Sequence, residues 1–344
     1  PDGLHISAKF DTLKLRPMRS VIIMILSLLF IGCGEDQCQY ADDIATQPVD
    51  IKISRLEKRL FAAQSVDEVV SFLRDNQSFA DIFLDAQQYP SDTILGKKIF
   101  SLIKNPGIDT LYQEATVKYE SMQTIEEELE VAFGKLKTLY PQTHTPRFET
   151  IVSGLYKDIY ITDTLILVGL DFFIGDDATY KPQQIPYYIL SRYDKEHLSS
   201  VIVKYMAGQL VVPGRKPTLV SEMIDFGKTY YLTQRLLPCT PDSILLGYTP
   251  QDMQLINENE AVIWATLLEN EVLYETSHIT KRKFLGERPN IYEINQKCPG
   301  RVGAWVGWQI VNSYMDKNSI DLKTLLETEN EQIFMQSGYK PQSR

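Results

Sequence analysis

One predicted helix holds the residues whose types and spacing could support hydrolytic chemistry. The chain reads Ser221-Glu-Met-Ile-Asp225, at the spacing where zinc peptidases carry His-Glu-x-x-His. In that motif two imidazoles one turn apart bind zinc, and the glutamate polarises the attacking water. Ser221 and Asp225 stand at the imidazole positions, and only Glu222 keeps its motif identity. We interpret Glu222 as a vestigial general base, assign no confident catalytic residue, and expect no bound metal or other cofactor.

A second predicted helix could supply a third ligand. Glu260 directly precedes an apolar run that begins at Val262. The alternative is that Glu258 and Glu260 are first-turn carboxylates that complement the helix dipole. If Glu222, Asp225 and Glu260 converged, their oxygens could hold a hard divalent cation. A metal-dependent hydrolase or peptidase with a non-standard acidic site is therefore the alternative function.

The amino-terminal part of the chain has the pattern of a lipoprotein signal. Val21–Ile31 is an apolar run of 11 residues, broken only by Ser27 and preceded by basic Arg19. As a helix it spans about 16 Å, roughly half of a bilayer core, so it is too short for an ordinary transmembrane segment. Phe30-Ile-Gly-Cys33 follows the pattern of a lipobox. We predict that the signal is removed and that Cys33 carries the lipid anchor, palmitate included.

The elements that would position these residues belong to an α+β fold that is predominantly helical, with a small central sheet. The segments Thr150–Val152 and Thr164–Phe173 are rich in β-branched and large apolar residues. They predict two strands, the second largely buried. The predicted regions are an upstream extension at 1–17, a signal peptide at 18–32, a flexible tether at 33–49 and a globular region at 50–344. The globular region is predicted to consist of a helical half at 50–147, a sheet at 148–176 and a second helical half at 177–344.

Composition excludes several classes of function. The 344 residues carry 35 basic and 45 acidic side chains, for a net charge of −10, which argues against nucleic-acid binding. The four cysteines and four histidines are scattered and match no zinc finger or ribbon. A disulfide between Cys239 and Cys298 could form in an oxidising envelope, although the spacing does not establish it.

Aromatic residues offer a third class of function. Trp305 and Trp308 alternate with glycines in a helical stripe, which favours core packing. A glycan-binding site is the alternative, because sugars stack on exposed aromatic rings. Tyr187 and Tyr188 could line the same groove, or pack against the core.

A resemblance extends over nearly the whole predicted mature chain. The residues that carry it, beginning with the lipobox at Cys33, are Gly169–Gly175, Met223–Lys228, Leu237-Pro238, Gly247–Thr249, Asn259–Trp264, Pro299–Gly303, Trp305–Val311, Tyr314-Met315 and Tyr339–Pro341. In this order they resemble the gliding-motility lipoprotein family GldB of Bacteroidetes. That family is similar to zinc-dependent peptidases that have lost the metal-binding motif.

The resemblance implies a zincin-peptidase-like scaffold and a place in the gliding apparatus, whose parts are shared with type IX protein secretion. It places Ser221 and Asp225 at the lost imidazole positions, Glu222 at the general-base position and Glu260 at the third-ligand position. We expect a non-catalytic interaction or assembly component, a pseudo-peptidase whose partners are other envelope proteins of that apparatus. It would be anchored in the cell membrane or outer membrane and face the periplasm, with no nucleic-acid partner.

Overall fold

A four-stranded mixed sheet lies in the middle of the fold. The computed structural model describes Cys38 and residues 43–341. Its strands are β1 (Ile53–Arg55), β2 (Arg147–Ile151), β3 (Ile159–Ile161) and β4 (Leu165–Gly169), in the order β1-β2-β4-β3. The pairs β1–β2 and β2–β4 are parallel, and β3 runs antiparallel to β4. β3 therefore forms one edge of the sheet.

Helices precede, connect and follow these strands. They are α1 (Leu56–Phe61), α2 (Val66–Asp75), α3 (Gln77–Phe83), α4 (Asp92–Ile103), α5 (Pro106–Lys118), α6 (Gln123–Leu139), α7 (Tyr187–Leu190), α8 (Leu198–Leu210), α9 (Leu219–Leu236), α10 (Asp242–Leu246), α11 (Pro250–Glu258), α12 (Glu260–Glu269), α13 (His278–Leu285), α14 (Val302–Lys317), α15 (Leu322–Glu327) and α16 (Asn330–Ser337). Short 3₁₀ turns occur at Ala86–Gln88, Leu170–Phe173, Lys195–His197 and Val272–Tyr274.

The sheet is covered on both faces. Successive side chains of a strand point to opposite faces, and β4 uses both for apolar packing. Leu165 and Leu167 pack with the apolar residues of α1 to α4. Ile166 and Val168 pack instead with residues of α5, α6, α8 and the end of α9. Every residue of β4 is buried, which confirms the first part of the strand predicted at Thr164–Phe173. The second part forms the 3₁₀ turn Leu170–Phe173 instead.

Helices α9 and α14 make the most extensive helix contact in the described chain, and glycines permit their close approach. A Cβ atom added to Gly307 would lie 1.7 Å from the carbonyl oxygen of Met223, and one added to Gly227 would lie 2.3 Å from that of Gly307. Neither distance is compatible with a side chain. The pair forms the centre of the carboxy-terminal core.

The described residues of the predicted tether at 33–49 are held against the fold, which corrects the expectation of a flexible segment. Ile44 is buried in the core. The backbone amide of Gln47 donates to the carbonyl of Gly134 in α6, at 3.2 Å. A disulfide joins Cys38 to Cys239. These contacts tie the segment to helix α6 and to the loop after α9.

The predicted fold class is confirmed at the level of a predominantly helical protein, with 58% helix and 6% strand, and a small sheet. β1 and β3 were not predicted, and β1 lies outside the predicted sheet region at 148–176. Within Cys38 and residues 43–341, no helix combines the length and apolarity that a membrane crossing requires. The predicted extension, the signal peptide and Cys33 lie outside the described residues.

Candidate functional site

The first turns of α9 present the motif residues. Thr218 caps the helix by accepting a hydrogen bond from the amide of Ser221, at 3.3 Å. Ser221 and Asp225 lie one turn apart and both contact Asn330, the first residue of α16. Its Nδ2 atom lies 2.6 Å from Asp225 Oδ1 and 3.1 Å from Ser221 Oγ, and 2.9 Å from the Ser221 carbonyl oxygen. One amide group thus contacts both residues that stand at the imidazole positions of the His-Glu-x-x-His pattern.

Asp225 is a half-buried carboxylate that accepts hydrogen bonds from neutral donors. Besides Asn330, the backbone amide of Gly214 donates to it at 3.2 Å. Burial raises the pKa of Asp225, and the hydrogen bonds from Asn330 and Gly214 oppose that change. Its oxygens are therefore already committed to a structural contact between α9, α16 and the preceding loop.

Glu222 has a cationic partner. It forms an ion pair with Lys281 of α13, and the Lys281 ammonium group also donates to the Pro217 carbonyl at 2.9 Å. The Lys281 side chain is largely buried, whereas that of Glu222 is 38% exposed. Glu222 therefore acts as the counterion of a buried lysine, in the position where a peptidase would need a free general base.

Glu260 lies elsewhere in the contact network. It begins α12 and accepts a hydrogen bond from the Tyr339 hydroxyl at 2.8 Å. Burial raises the pKa of Tyr339, and the neighbouring Glu260 carboxylate raises it further. Glu260 thus lies in the first turn of α12, where the helix dipole favours a negative charge. Its contact with Tyr339 also holds the carboxy-terminal segment against the helix.

The three carboxylates Glu222, Asp225 and Glu260 therefore have three separate partners. Over Cys38 and residues 43–341, no group of three His, Cys, Asp or Glu side chains is arranged to hold a metal ion. The alternative of an acidic metal site required those carboxylates to converge, and that convergence is lacking. Each of the three carboxylates therefore connects its helix to another element of the fold.

The tryptophans belong to the core. Trp305 and Trp308 are each 1% exposed and pack in the α9–α14 cluster, so the prediction of core packing is confirmed. The glycan-binding alternative is wrong because it required both rings to be accessible. Tyr187 is exposed, and Tyr188 is half-buried.

The cysteine pairing differs from the one considered from the sequence. Cys239 is bonded to Cys38, and Cys298 is a buried thiol. Burial raises the pKa of Cys298 to about 12, so this thiol is inert at neutral pH. The partner was not predictable because 201 residues separate Cys38 from Cys239.

A basic cleft of about 990 Å³ lies between β3, α8, α9 and the start of α14. Arg192 Nη1 lies 2.7 Å from Glu287 Oε1, and Arg301 Nε lies 3.2 Å from the same oxygen. Lys204 donates to the Leu245 carbonyl at 3.2 Å. None of the carboxylates in the described chain forms an ion pair with Lys204. The pKa of Lys204 falls to about 7, mainly because the amine is buried and also because Arg301 and Arg192 lie nearby.

Arg301 occupies an unusual backbone position in this cleft. It is the N-cap residue of α14 with a positive φ of 61°, a conformation that costs a non-glycine residue free energy. Its Nη2 atom donates to the Leu246 carbonyl at 2.6 Å, and its guanidinium group lies over the Tyr248 ring. These contacts hold the side chain in place at the wall of the cleft.

Sequence reasoning missed this cleft because its charged residues are spread from Asp158 to Arg301. Only Arg301 lay within a motif that drew attention, the glycine-flanked segment Pro299–Gly303. An arginine between glycines at the start of a buried helix is the one local signal that could have indicated it. Its neighbours in space could not be inferred from spacing.

Comparison with known proteins supports one assignment. No curated protein matches the chain, and no solved structure matches it either, so the zincin-like scaffold stays a prediction. The family model described as gliding motility protein GldB matches residues 37–341, which is most of the chain. The chain belongs to the GldB family of gliding-motility lipoproteins.

Proposed function

We propose that this protein is a non-catalytic interaction or assembly component of the envelope machinery for gliding motility and type IX secretion. Family membership supports the link to gliding motility. The observation that carries the non-catalytic part is the contact of Asn330 with both Ser221 and Asp225. An amide donor at those two positions stabilises the fold and supplies no Lewis acid for peptide cleavage.

The state of Glu222 supports the same proposal. A general base must be free to accept a proton from water near the scissile bond. Glu222 instead faces the ammonium group of Lys281, so its carboxylate is bound to a structural partner. We therefore propose that the α9 motif persists as packing and not as a reactive centre.

The test of the non-catalytic role is Glu222→Gln in gliding cells, because glutamine can still accept a hydrogen bond from Lys281. We expect colony spreading and secretion close to wild type, at an equal level of protein. The purified wild-type protein should contain no stoichiometric zinc. Loss of spreading together with a Glu222-dependent peptidase activity would overturn the proposal.

We also propose that a lipid on Cys33 anchors the protein in the cell membrane or outer membrane, facing the periplasm. The lipobox pattern supports the site, and the family is one of lipoproteins. Metabolic labelling with an alkyne analogue of palmitate should tag the wild-type protein. Cys33→Ser should lose the label and leave the membrane fraction, whereas Cys298→Ala should keep both. A label that survives Cys33→Ser would refute this anchor.

A further inference from the structure

The edge strand β3 has backbone groups that face the basic cleft. The amide of Gly169 donates to the carbonyl of Asp158 at 2.6 Å, and the amide of Thr162 donates to that of Leu165 at 2.9 Å. In an antiparallel pair this alternation directs the N–H and C=O groups of the intervening Ile159 and Ile161 away from β4. The Ile159 amide is engaged by the Asp158 carboxylate. Ile161 has no other strand beside it in the described chain, and all three β3 residues line the cleft.

The cleft contains one more basic than acidic side chain in its lining. Its lining contains the cations Arg192, Lys204 and Arg301 and the carboxylates Asp158 and Glu287, whereas the whole chain has a net charge of −10. Glu287 lies between the two arginines. Asp158 accepts a hydrogen bond from the Tyr193 hydroxyl at 2.7 Å. Lys204 is the cation without a carboxylate partner among the described residues.

Aromatic side chains line the same cleft as Lys204. Tyr205 of α8 is 47% exposed and Phe226 of α9 is 41% exposed, and both line the cleft. The lining of the cleft therefore combines the edge strand β3, the Lys204 amine and partly exposed aromatic rings. An extended peptide presents matching features, because its backbone can pair with the edge while its side chains alternate between two faces.

We propose that this cleft binds an extended acidic segment of a partner protein, which adds as a strand beside β3 and places a carboxylate at Lys204. The inference rests on the proposed assembly role and names the chemistry of the partner. Main-chain hydrogen bonds to Ile161 would supply binding, and the carboxylate at Lys204 would supply selectivity. A peptide carboxylate would also restore the full charge of Lys204, since a nearby anion favours the protonated amine.

The binding test uses the full chain purified in detergent and fluorescence polarisation. The probe is a pool of fluorescein-labelled octapeptides in which Asp or Glu alternates with Val, Ile or Phe. We expect saturable binding that weakens as salt screens the charges, and at least tenfold weaker binding by Lys204→Gln. The matched control Lys297→Gln removes the same charge from an exposed site outside the cleft and should bind as wild type does. Equal binding by Lys204→Gln, or equal binding of a pool with Lys in place of Asp and Glu, overturns the proposal.

A second arm tests strand addition. The same peptide pool with N-methylated backbone amides cannot donate to an edge strand, so we expect at least tenfold weaker binding. Ile161→Pro removes an outward N–H without removing a bond to β4, and it should weaken binding of the unmodified pool by a similar factor. Undiminished binding of the N-methylated pool would show that no strand is added and would overturn the proposal. Displacement of the peptides by inorganic phosphate at the same concentration as the peptides would show a simple anion site and would also overturn it.

The non-catalytic role and the peptide-binding cleft are tested by different experiments, so either one can be refuted without the other. Lack of peptide binding would overturn the inference about the cleft while the Glu222→Gln result in cells still decides the non-catalytic role. Conversely, a Glu222-dependent peptidase activity would overturn the non-catalytic role, and the binding measurements on Lys204→Gln and Ile161→Pro would still decide the occupant of the cleft.

Discussion

The Asn330 side chain determines what the α9 motif can do. Its Nδ2 atom is within 3.1 Å of Ser221 Oγ and within 2.6 Å of Asp225 Oδ1. A divalent cation would need the same oxygens as ligands. The amide instead donates a hydrogen bond to the half-buried Asp225 carboxylate, which offsets part of the cost of removing that group from water. Asn330 therefore ties Ser221 and Asp225 of α9 to helix α16.

Asn330→Ala should destabilise the protein by about 1–3 kcal/mol, because Asp225 and Ser221 lose a buried donor. Asn330→Asp should lower the free energy of unfolding more at pH 7 than at pH 5. The variant places a second carboxylate beside Asp225, and one of the two is neutralised by a proton at the lower pH. Urea unfolding measures both effects. The control Gln332→Ala changes an exposed residue of the same helix and should stay within about 0.5 kcal/mol. An Asn330→Ala protein as stable as this control would contradict the structural role.

The lowered pKa of Lys204 makes stability depend on pH. The folded value is about 7, and an unfolded lysine titrates near about 10.4. Between these values the unfolded chain binds a proton that the folded chain does not, so stability rises with pH. The free energy of unfolding of the wild type, minus that of Lys204→Met, should increase by about 3 kcal/mol from pH 7 to pH 9.5. Parallel pH profiles for the two proteins would contradict the shifted pKa.

At the scale of elements, the α9–α14 pair depends on two glycines in contact. The backbones approach so closely at Gly307 that a methyl group would overlap the Met223 carbonyl. The two helices must then separate or shift, and the tryptophans packed beside them lose contacts as well. Such a change affects packing of the whole carboxy-terminal core, since cores are close-packed.

Gly307→Ala should therefore destabilise the protein by roughly 3 kcal/mol or more, in the range of severe overpacking. Gly208→Ala is the matched control, because its added Cβ would lie 3.7 Å from the nearest atom, in Thr229. There alanine should be neutral or stabilise helix α8 by up to about 1 kcal/mol. Thermal unfolding followed by circular dichroism compares the two. Equal melting temperatures for Gly307→Ala and the wild type would refute the close contact.

At the scale of the whole molecule, the Cys38–Cys239 disulfide closes a long loop. It joins residues 201 positions apart in sequence and links the segment before the sheet to the loop that follows α9. A cross-link of this length limits the unfolded chain and so stabilises the folded one, by about 2–4 kcal/mol.

The double variant Cys38→Ala, Cys239→Ala should be less stable than the oxidised wild type by that amount. Reductant should lower the wild type to the level of the variant and leave the variant unchanged, because Cys298 is a buried thiol with no disulfide partner in the described chain. Guanidinium unfolding with and without dithiothreitol provides the measurement. Insensitivity of the wild type to reductant would argue against the bond.

Local patterns were enough to predict several features. Uninterrupted apolar sequence predicted the buried strand β4, and the helical stripe of Trp305 and Trp308 predicted core packing. Both depend on periodicity, which a short stretch of sequence contains completely. The ordered motifs over the whole chain were enough for the family, and the missing imidazoles at Ser221 and Asp225 were visible by inspection.

Only the tertiary structure decided which residues meet. β1 and β3 are three residues long and have too little pattern to be recognised alone. Asn330 lies 105 residues from Asp225, and the cleft joins residues from β3 to the start of α14. Contacts of this kind depend on how helices and strands pack, so they cannot be predicted from spacing along the chain. That α9 lacks the full His-Glu-x-x-His pattern was therefore readable from the sequence, whereas the partners of Ser221 and Asp225, and the cleft beside β3, required the fold.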